Sequence, residues 1–160
     1  MEDSDGVYVV PAFTGLGAPY WDPEAKGLIT GITRATTKAH ITRATLESMA
    51  YSAKDLVIVM EKESGIKLSE LKCDGGASSN DLLMQFQADV LGVGVNRPRE
   101  KESTALGAVY LCALGLNLIK KEDISDLREC EKFFEPKYDE VKYGKLYDGW
   151  KRAVGRCLHD

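Results

Sequence analysis

The sequence predicts one α/β domain that spans residues 1–160. In the middle of the chain, strand-like and helix-like segments alternate in the order that joins two parallel strands through a helix. The length is that of a typical single domain, which is enough to bury a core. Glycine contributes 15 residues and proline 5, too few for a low-complexity chain.

The chain opens with two strands separated by a loop. The β-branched and aromatic run Val7–Val10 predicts the first strand, which ends at Pro11 because proline has no N–H to donate to a neighbouring strand. Residues 14–23 are rich in glycine and proline and predict a loop with several turns. The alternating run Gly27–Ile32 predicts the second strand.

A long helix is predicted next, from near Lys38 to a stop at Gly65. Its apolar residues recur at the spacing of one helical face, which we expect to be buried. Either Thr36 or Thr37 would cap its start, since a threonine hydroxyl accepts a hydrogen bond from the free N–H groups there.

Three polar residues lie near the start of this helix. We expect His40 to be structural, because the only other histidine, His159, lies at the far end of the chain and disfavours a two-histidine metal site or a histidine-based triad. Arg43 and Glu47 are one helical turn apart, which predicts a simple surface ion pair.

The second half of the chain contains the clearest alternation of strand and helix. A charged stretch at 117–136 is predicted to be irregular, and an aromatic stripe predicts a final helix after Pro136. The other elements are predicted at Leu71–Cys73 (strand), Asp74–Ser79 (turn), Asn80–Leu91 (helix), Val93–Asn96 (strand) and Ala105–Leu114 (helix, capped by Ser103 or Thr104), and the stripe consists of Tyr143, Tyr147, Trp150, Val154 and Cys157.

Composition and charge exclude several classes of protein. The net charge of −4 and the lack of a long basic block disfavour nucleic-acid binding. No apolar stretch reaches the length of a membrane span, and the acidic N-terminus does not resemble a signal peptide. The four cysteines are widely spaced, so we interpret them as reduced thiols in a cytoplasmic protein without a metal site: Cys73, Cys112, Cys130 and Cys157.

The turn Asp74–Asn80 is the strongest candidate for a binding site. It leaves a predicted buried strand and enters a helix, the place where open α/β sheets bind ligands. Two glycines would let a nucleotide approach the backbone, and the Asn80 amide could bond a ribose or base edge. A strand-to-helix turn without a ligand explains the same residues. The chain has no P-loop motif, and Gly15-Leu16-Gly17 lacks the third glycine of a dinucleotide fingerprint.

Two stretches of the sequence resemble the FGGY carbohydrate kinases. Gly27–Glu47 is similar to a signature of that family, and Asp74–Asp89 resembles its adenosine-contacting turn and helix. Three further stretches, Pro11–Pro23, Ser103–Ala108 and Tyr147–Val154, resemble the branch whose substrate is glycerol. Another sugar kinase of the family and a non-catalytic actin-like nucleotide-binding module remain as alternatives.

The resemblance implies an actin-like, ribonuclease-H-like ATPase domain that is incomplete at its N-terminal side. Family enzymes have two domains and transfer the γ-phosphoryl group of ATP, bound with Mg²⁺, to their substrate, here glycerol. This chain resembles most of the C-terminal domain, and the family's catalytic aspartate belongs to earlier sequence. The resemblance therefore implies no catalytic residue and no metal ligand in this chain, which we expect to be inactive alone.

The resemblance also assigns roles to residues of the turn. The nucleotide would contact Gly75, Gly76 and Asn80, while Asp74 and Ala77 would support the turn or its phosphate side. In the helix that begins near residue 105, Gly107 and Ala108 would allow close packing under the turn. We also expect an exposed edge strand and exposed apolar surface, covered by another copy of the chain in a homo-oligomer.

Overall fold

The computed structural model describes residues 3–159 except 126, 128 and 138. In this part of the chain, the elements occur in the predicted alternation, with one additional strand. They are β1 (Tyr8–Val10), β2 (Leu28–Thr30), α1 (Lys38–Ser64), β3 (Glu70–Lys72), α2 (Asp81–Leu91), β4 (Gly94–Pro98), α3 (Ser103–Gly115), β5 (Cys130–Phe134) and α4 (Glu140–Val154), with 3₁₀ turns at Gly76–Ser79 and Lys121–Ser125.

The strands form two small sheets. β1 and β2 pair antiparallel, with Val9 opposite Ile29. β4 is the central strand of the other sheet, where it pairs parallel with β3 and antiparallel with β5. The predicted parallel pair joined by a crossover helix is therefore confirmed as β3–α2–β4. The candidate site follows the end of β3, and β4 lies beside β3 in the sheet.

β5 corrects the prediction that residues 117–136 are irregular; of that stretch, 126 and 128 lie outside the described residues. Its sequence, Cys130–Phe134, places charged residues between a cysteine and two phenylalanines, so the strand pattern is weak locally. The strand forms because β4 offers a free edge, with Val95 opposite Phe134 and Asn96 opposite Phe133. Pairing with a formed strand outweighs weak local propensity.

The ends of the helices test the predicted caps. Thr37 is the N-cap of α1, and its N–H donates to His40 Nδ1 at 3.1 Å, so His40 serves the helix start as expected of a structural histidine. Gly65 ends α1 with φ of 70°, as predicted. The predicted cap of α3 is wrong: Glu102 is its N-cap, with no side-chain hydrogen bond, and Ser103 is already helical.

The core lies between α1, α2, α4 and β1. Tyr51 of α1 stacks on Trp150 of α4 with ring centroids 5.5 Å apart and meets the edge of Phe86 of α2 at 5.4 Å. Gly149 of α4 is needed here, because a Cβ at this position would lie 2.1 Å from the Tyr8 hydroxyl. The predicted aromatic stripe is confirmed, with buried members Tyr143, Trp150, Val154 and Cys157 and half-buried Tyr147.

Glu47 is not part of a surface ion pair, which corrects the prediction from spacing. It is only 1% exposed, and its carboxylate accepts hydrogen bonds from Arg43 Nε at 2.7 Å and from Ser4 Oγ at 3.0 Å. Burial raises the pKa of Glu47, while Arg43 and Ser4 oppose that rise. Sequence spacing indicated the Arg43 partner but not the N-terminal segment that covers the pair.

Asp55 is a second buried carboxylate, and it joins three parts of the chain. Tyr20 Oη and Trp150 Nε1 donate to its Oδ2 at 2.9 and 2.8 Å, and Tyr147 Oη donates to its Oδ1. These donors come from the first loop and from α4, while Asp55 belongs to α1. The carboxylate therefore ties the loop that precedes β2 to the helical side of the core.

α3 lies outside this core. None of its residues is buried, and Val109 and Leu111 are 60% and 71% exposed. The expectation that Gly107 and Ala108 pack closely under the turn is wrong, because nothing lies within 4 Å of a Cβ built at Gly107 and Ala108 is exposed. The exposed apolar surface that the sequence predicts is found on this helix.

No helix among the described residues is both long and apolar enough to cross a membrane.

Candidate functional site

The candidate site is the turn that leads from β3 into α2. Gly75 begins it with φ of 78°, a left-handed conformation that residues with a Cβ rarely adopt. Ser78 then closes the 3₁₀ turn twice, because its N–H and its hydroxyl both donate to the Gly75 carbonyl oxygen, at 3.1 and 2.7 Å. The backbone of the turn is therefore held in one shape by its own residues.

The outer side of the turn is open. A Cβ built at Gly75 or at Gly76 would meet no atom within 4 Å. The N–H groups of Gly76 and Ala77 precede the first hydrogen bond of the turn and have no acceptor within it. Among the described residues, this side of the turn therefore presents bare backbone that a ligand could approach; contact with a nucleotide stays a prediction.

Asn80 combines a structural role with a free group. Its Oδ1 accepts hydrogen bonds from Leu82 N and Leu83 N, both at 3.1 Å, and so caps α2. The side chain is exposed, and capping uses only the oxygen of the amide. A turn without a ligand accounts for the hydrogen bonds to the amide oxygen. A nucleotide-binding turn would also use the amide nitrogen as a donor to the ligand.

Asp74 and Ala77 border a groove on the helical side of the turn. Its volume is about 400 Å³, and α1 contributes more of its apolar lining than any other element. Met49 and Met60 of α1 are 46% and 67% exposed there. The groove gives the turn an apolar neighbour on one side, while the open backbone of Gly75 and Gly76 forms the other.

A larger cavity of about 600 Å³ lies beside α3, and Lys72 of β3 contributes to its lining. Gly107 and Tyr110 of α3 form one wall, and Arg99 and Glu129 lie in its charged lining. The turn residues do not line this cavity. Among the described residues, no three histidine, cysteine or acidic side chains are grouped so that they could hold a metal ion.

Sequence reasoning missed the residues that hold the turn from below. Gly75 N donates to the Lys101 carbonyl at 2.9 Å, and Arg97 Nη1 donates to the Ser78 carbonyl at 3.0 Å. Arg97 also donates to Asp81 Oδ1 at 2.7 Å. A signal was present, since a charged residue interrupts the strand sequence GVNRP, but only the fold shows that its side chain points toward the turn.

Comparisons with known proteins give the family. The family described as the FGGY family of carbohydrate kinases, C-terminal domain, matches residues 2–116. A glycerol kinase of Saccharolobus islandicus is 55% identical over 159 residues, which are 99% of this chain and 32% of that protein. A glycerol kinase of Thermoanaerobacter is also 55% identical, with the same shares covered.

Solved structures agree in fold. The crystal structure of Plasmodium falciparum glycerol kinase with ADP matches with a TM-score of 0.88 and 36% identity, over 100% of this chain and 32% of that one. A xylulose kinase from Lactobacillus acidophilus, at 24% identity, shares the fold with a TM-score of 0.81 over 96% of this chain and 31% of that one. The chain thus spans about a third of the length of the relatives that it matches. It belongs to the FGGY family of carbohydrate kinases, and its residues 2–116 match that family's C-terminal domain, which has an actin-like ATPase fold.

Proposed function

We propose that this chain is the ATP-binding part of an enzyme that phosphorylates glycerol, giving glycerol 3-phosphate and ADP. The observation that carries the proposal is the 55% identity to glycerol kinases over 99% of the chain. The open turn supports it, because it offers bare backbone at Gly75 and Gly76 where a nucleotide would need close approach. The similar structure with the highest TM-score given above is described with ADP.

In this proposal, each turn residue has a distinct task. Gly75 sets the direction of the backbone through its left-handed conformation, and Gly76 presents its N–H and its Cβ-free face to the nucleotide. Asn80 donates its side-chain amide to the ribose or base while its oxygen keeps α2 capped. Asp74 and Ala77 support the turn from its edges.

The described residues do not form a site for Mg²⁺. Asp74 is the one carboxylate within the turn, and a magnesium ion needs several oxygen ligands in octahedral geometry. In the enzyme, Mg²⁺ would supply charge neutralisation on the ATP phosphates.

The other parts of the proposal are that the enzyme is cytoplasmic and homo-oligomeric, and that this chain alone is catalytically inactive because the family's catalytic aspartate belongs to earlier sequence.

The test uses Asn80 variants of the full-length enzyme. Asn80→Ser keeps an oxygen that can cap α2 but removes the amide donor, whereas Asn80→Ala removes both and should also cost about 1 kcal/mol of stability. We expect the KM for ATP to rise about tenfold in both variants, the equivalent of one lost hydrogen bond. The KM for glycerol should stay unchanged, and steady-state kinetics with each substrate varied in turn measures both.

Gly76→Val is the second arm of the test. A Cβ has open space at this position, so the variant should fold, while its side chain occupies the volume that a nucleotide would take. ATP binding should fall without a matching loss of thermal stability. An equal loss for glycerol and ATP in these variants, or unchanged ATP kinetics, would contradict the assignment of the turn.

A further inference from the structure

Arg97 is a buried charge beside the candidate nucleotide turn. It lies on the central strand β4 and is only 5% exposed. Arginine is rarely buried without partners, because the loss of hydration must be offset by hydrogen bonds and opposite charges. Nη1 of Arg97 donates to Ser78 O and to Asp81 Oδ1, so one nitrogen holds the end of the 3₁₀ turn and the first residue of α2.

β5 fixes the guanidinium from the opposite side. Nε of Arg97 lies 3.2 Å from Glu131 Oε2, close enough to pair by charge although no aligned hydrogen bond forms. The guanidinium carbon lies 5.3 Å from the centre of the Phe134 ring, in the range of a cation–π contact. Lys132, which is also on β5, pairs with the other oxygen of Asp81, Oδ2, at 2.6 Å. The group therefore has little freedom to move.

Glu131 also reaches the start of the turn. Its Oε2 lies 3.7 Å from Lys101 Nζ, and the Lys101 carbonyl accepts the N–H of Gly75. One carboxylate on β5 thus faces both Arg97, which holds Ser78, and Lys101, which holds Gly75. These two hydrogen bonds, from Arg97 to Ser78 and from Gly75 to Lys101, are called the two tethers of the turn. They attach on either side of Gly76.

We propose that Arg97 is a positioning residue for nucleotide binding, which sets the spacing between Gly76 and Asn80 by holding Ser78 and Asp81. The inference rests on the proposed function of the turn. It extends the site into β5, which lies beyond the residues 2–116 matched by the family's C-terminal domain. Arginine suits this role because its planar, multi-donor head serves two acceptors at once, which a lysine ammonium at the end of a flexible stem does poorly.

The experiment compares three substitutions in the full-length enzyme. Arg97→Lys keeps the charge but loses the planar fork, and Arg97→Met removes the charge while keeping a long side chain. Arg99→Met is the matched control, because Arg99 lies two residues later and pairs with Glu129 at 2.9 Å, and among the described residues its side chain makes no hydrogen bond or ion pair with the turn. Each variant is assayed well below its unfolding midpoint, with ATP and glycerol varied separately.

We expect Arg97→Lys to raise the KM for ATP about three- to tenfold, because one acceptor loses its donor. Arg97→Met should raise it further, and kcat and the KM for glycerol should stay within about twofold in both variants, as expected when only nucleotide binding is weakened. Arg99→Met should leave all three parameters unchanged. A lowered unfolding midpoint with an unchanged ATP KM in Arg97→Lys would show a purely structural role and overturn the proposal.

Glu131→Gln keeps the test decisive if Arg97→Met fails to fold. It removes the charge that faces both tethers while leaving Arg97 and its two hydrogen bonds to Ser78 and Asp81 in place, and it should give a smaller rise in the ATP KM than Arg97→Lys. Unchanged ATP kinetics in both Glu131→Gln and Arg97→Lys would overturn the positioning role. If Asn80→Ser raises the ATP KM in the same assay, only this inference fails; if Asn80→Ser has no effect either, the proposed function of the turn fails with it.

Discussion

α2 and α3 follow the two parallel strands of one sheet, yet they are packed in opposite ways. α2 buries seven of its eleven residues, and α3 buries none of its thirteen. The more apolar helix is the exposed one: the sequence of α3, STALGAVYLCALG, carries no charged residue, whereas α2 carries two aspartates. Apolar composition alone therefore does not predict which helix is buried in this chain.

The difference lies in the pattern of side chains rather than in their number. α2 has an apolar face that meets α1 and β4, and its polar residues lie where they cap the helix or bond to neighbours, as Asp89 does with the Tyr143 hydroxyl at 3.0 Å. α3 is apolar all round, a pattern typical of a helix that is enclosed on every side. Within the described residues nothing encloses it, so its side chains contribute little to the stability of this domain.

Identical substitutions in the two helices should differ most. Leu83→Ala on α2 removes a side chain that is 2% exposed, and should lower the free energy of unfolding by about 2–5 kcal/mol. Leu111→Ala on α3 removes one that is 71% exposed, and should change it by no more than about 0.5 kcal/mol. Urea unfolding of the two variants measures this difference. Equal losses would mean that α3 is buried in solution.

Asp55 tests the packed side through polar contacts instead of apolar ones. Asp55→Asn replaces one of the two accepting oxygens by an NH2 group that only donates, so at least one of Tyr20, Tyr147 and Trp150 loses its acceptor. We expect a loss of about 1–3 kcal/mol, the cost of a buried polar group left unsatisfied. Asp148→Asn, at an exposed aspartate paired with Lys151, is the control and should lower the unfolding midpoint at neutral pH far less than Asp55→Asn does. A comparable loss in both would show that the Asp55 contacts carry no special weight.

Local patterns in the sequence predicted the elements of the packed side well. The helix stop at Gly65, the cap at Thr37 and the aromatic stripe of α4 each depend on residues within one or two turns of one another, and each is found in the structure. The candidate turn is equally local, because Asp74–Asn80 is one continuous segment. For such features, both partners of the interaction lie close together along the chain, so a short stretch of sequence is enough to predict them.

The features that the sequence did not predict depend on partners far along the chain. Glu47 is buried, and one of its two hydrogen bonds comes from Ser4, 43 residues earlier. β5 forms because β4 provides an edge, and Arg97 becomes part of the site because it donates a hydrogen bond to the carbonyl of Ser78, which lies 19 residues before it. Such pairs leave no periodic pattern in the sequence. A charged residue is therefore predicted to lie on the surface, and only the fold shows its buried partner.

The smallest expected effect concerns how α2 begins. Asp81, its first residue, receives hydrogen bonds from Lys132 and Arg97, which hold the pKa of its carboxyl below the ordinary value of 3.8. A lowered pKa in the folded state means that the unfolded chain binds more protons as pH falls. This contribution to stability is therefore complete above about pH 4, and it is lost as pH decreases through the folded pKa. α3 has no acidic residue in its first turn and no such dependence there.

Asp81→Asn should therefore flatten the acid limb of the unfolding curve below about pH 4, without removing it, since the pKa of Asp22, Glu61 and Asp148 is lowered too. Asp148→Asn should flatten the limb as well, because Lys151 lowers the pKa of that carboxyl. The two variants should differ in nucleotide binding, since only Asp81 shares Arg97 with the turn. Thermal unfolding at several pH values, with the ATP KM measured at neutral pH, separates them. An unaltered acid limb in Asp81→Asn would mean that its two cations do not favour the ionised form in the folded protein.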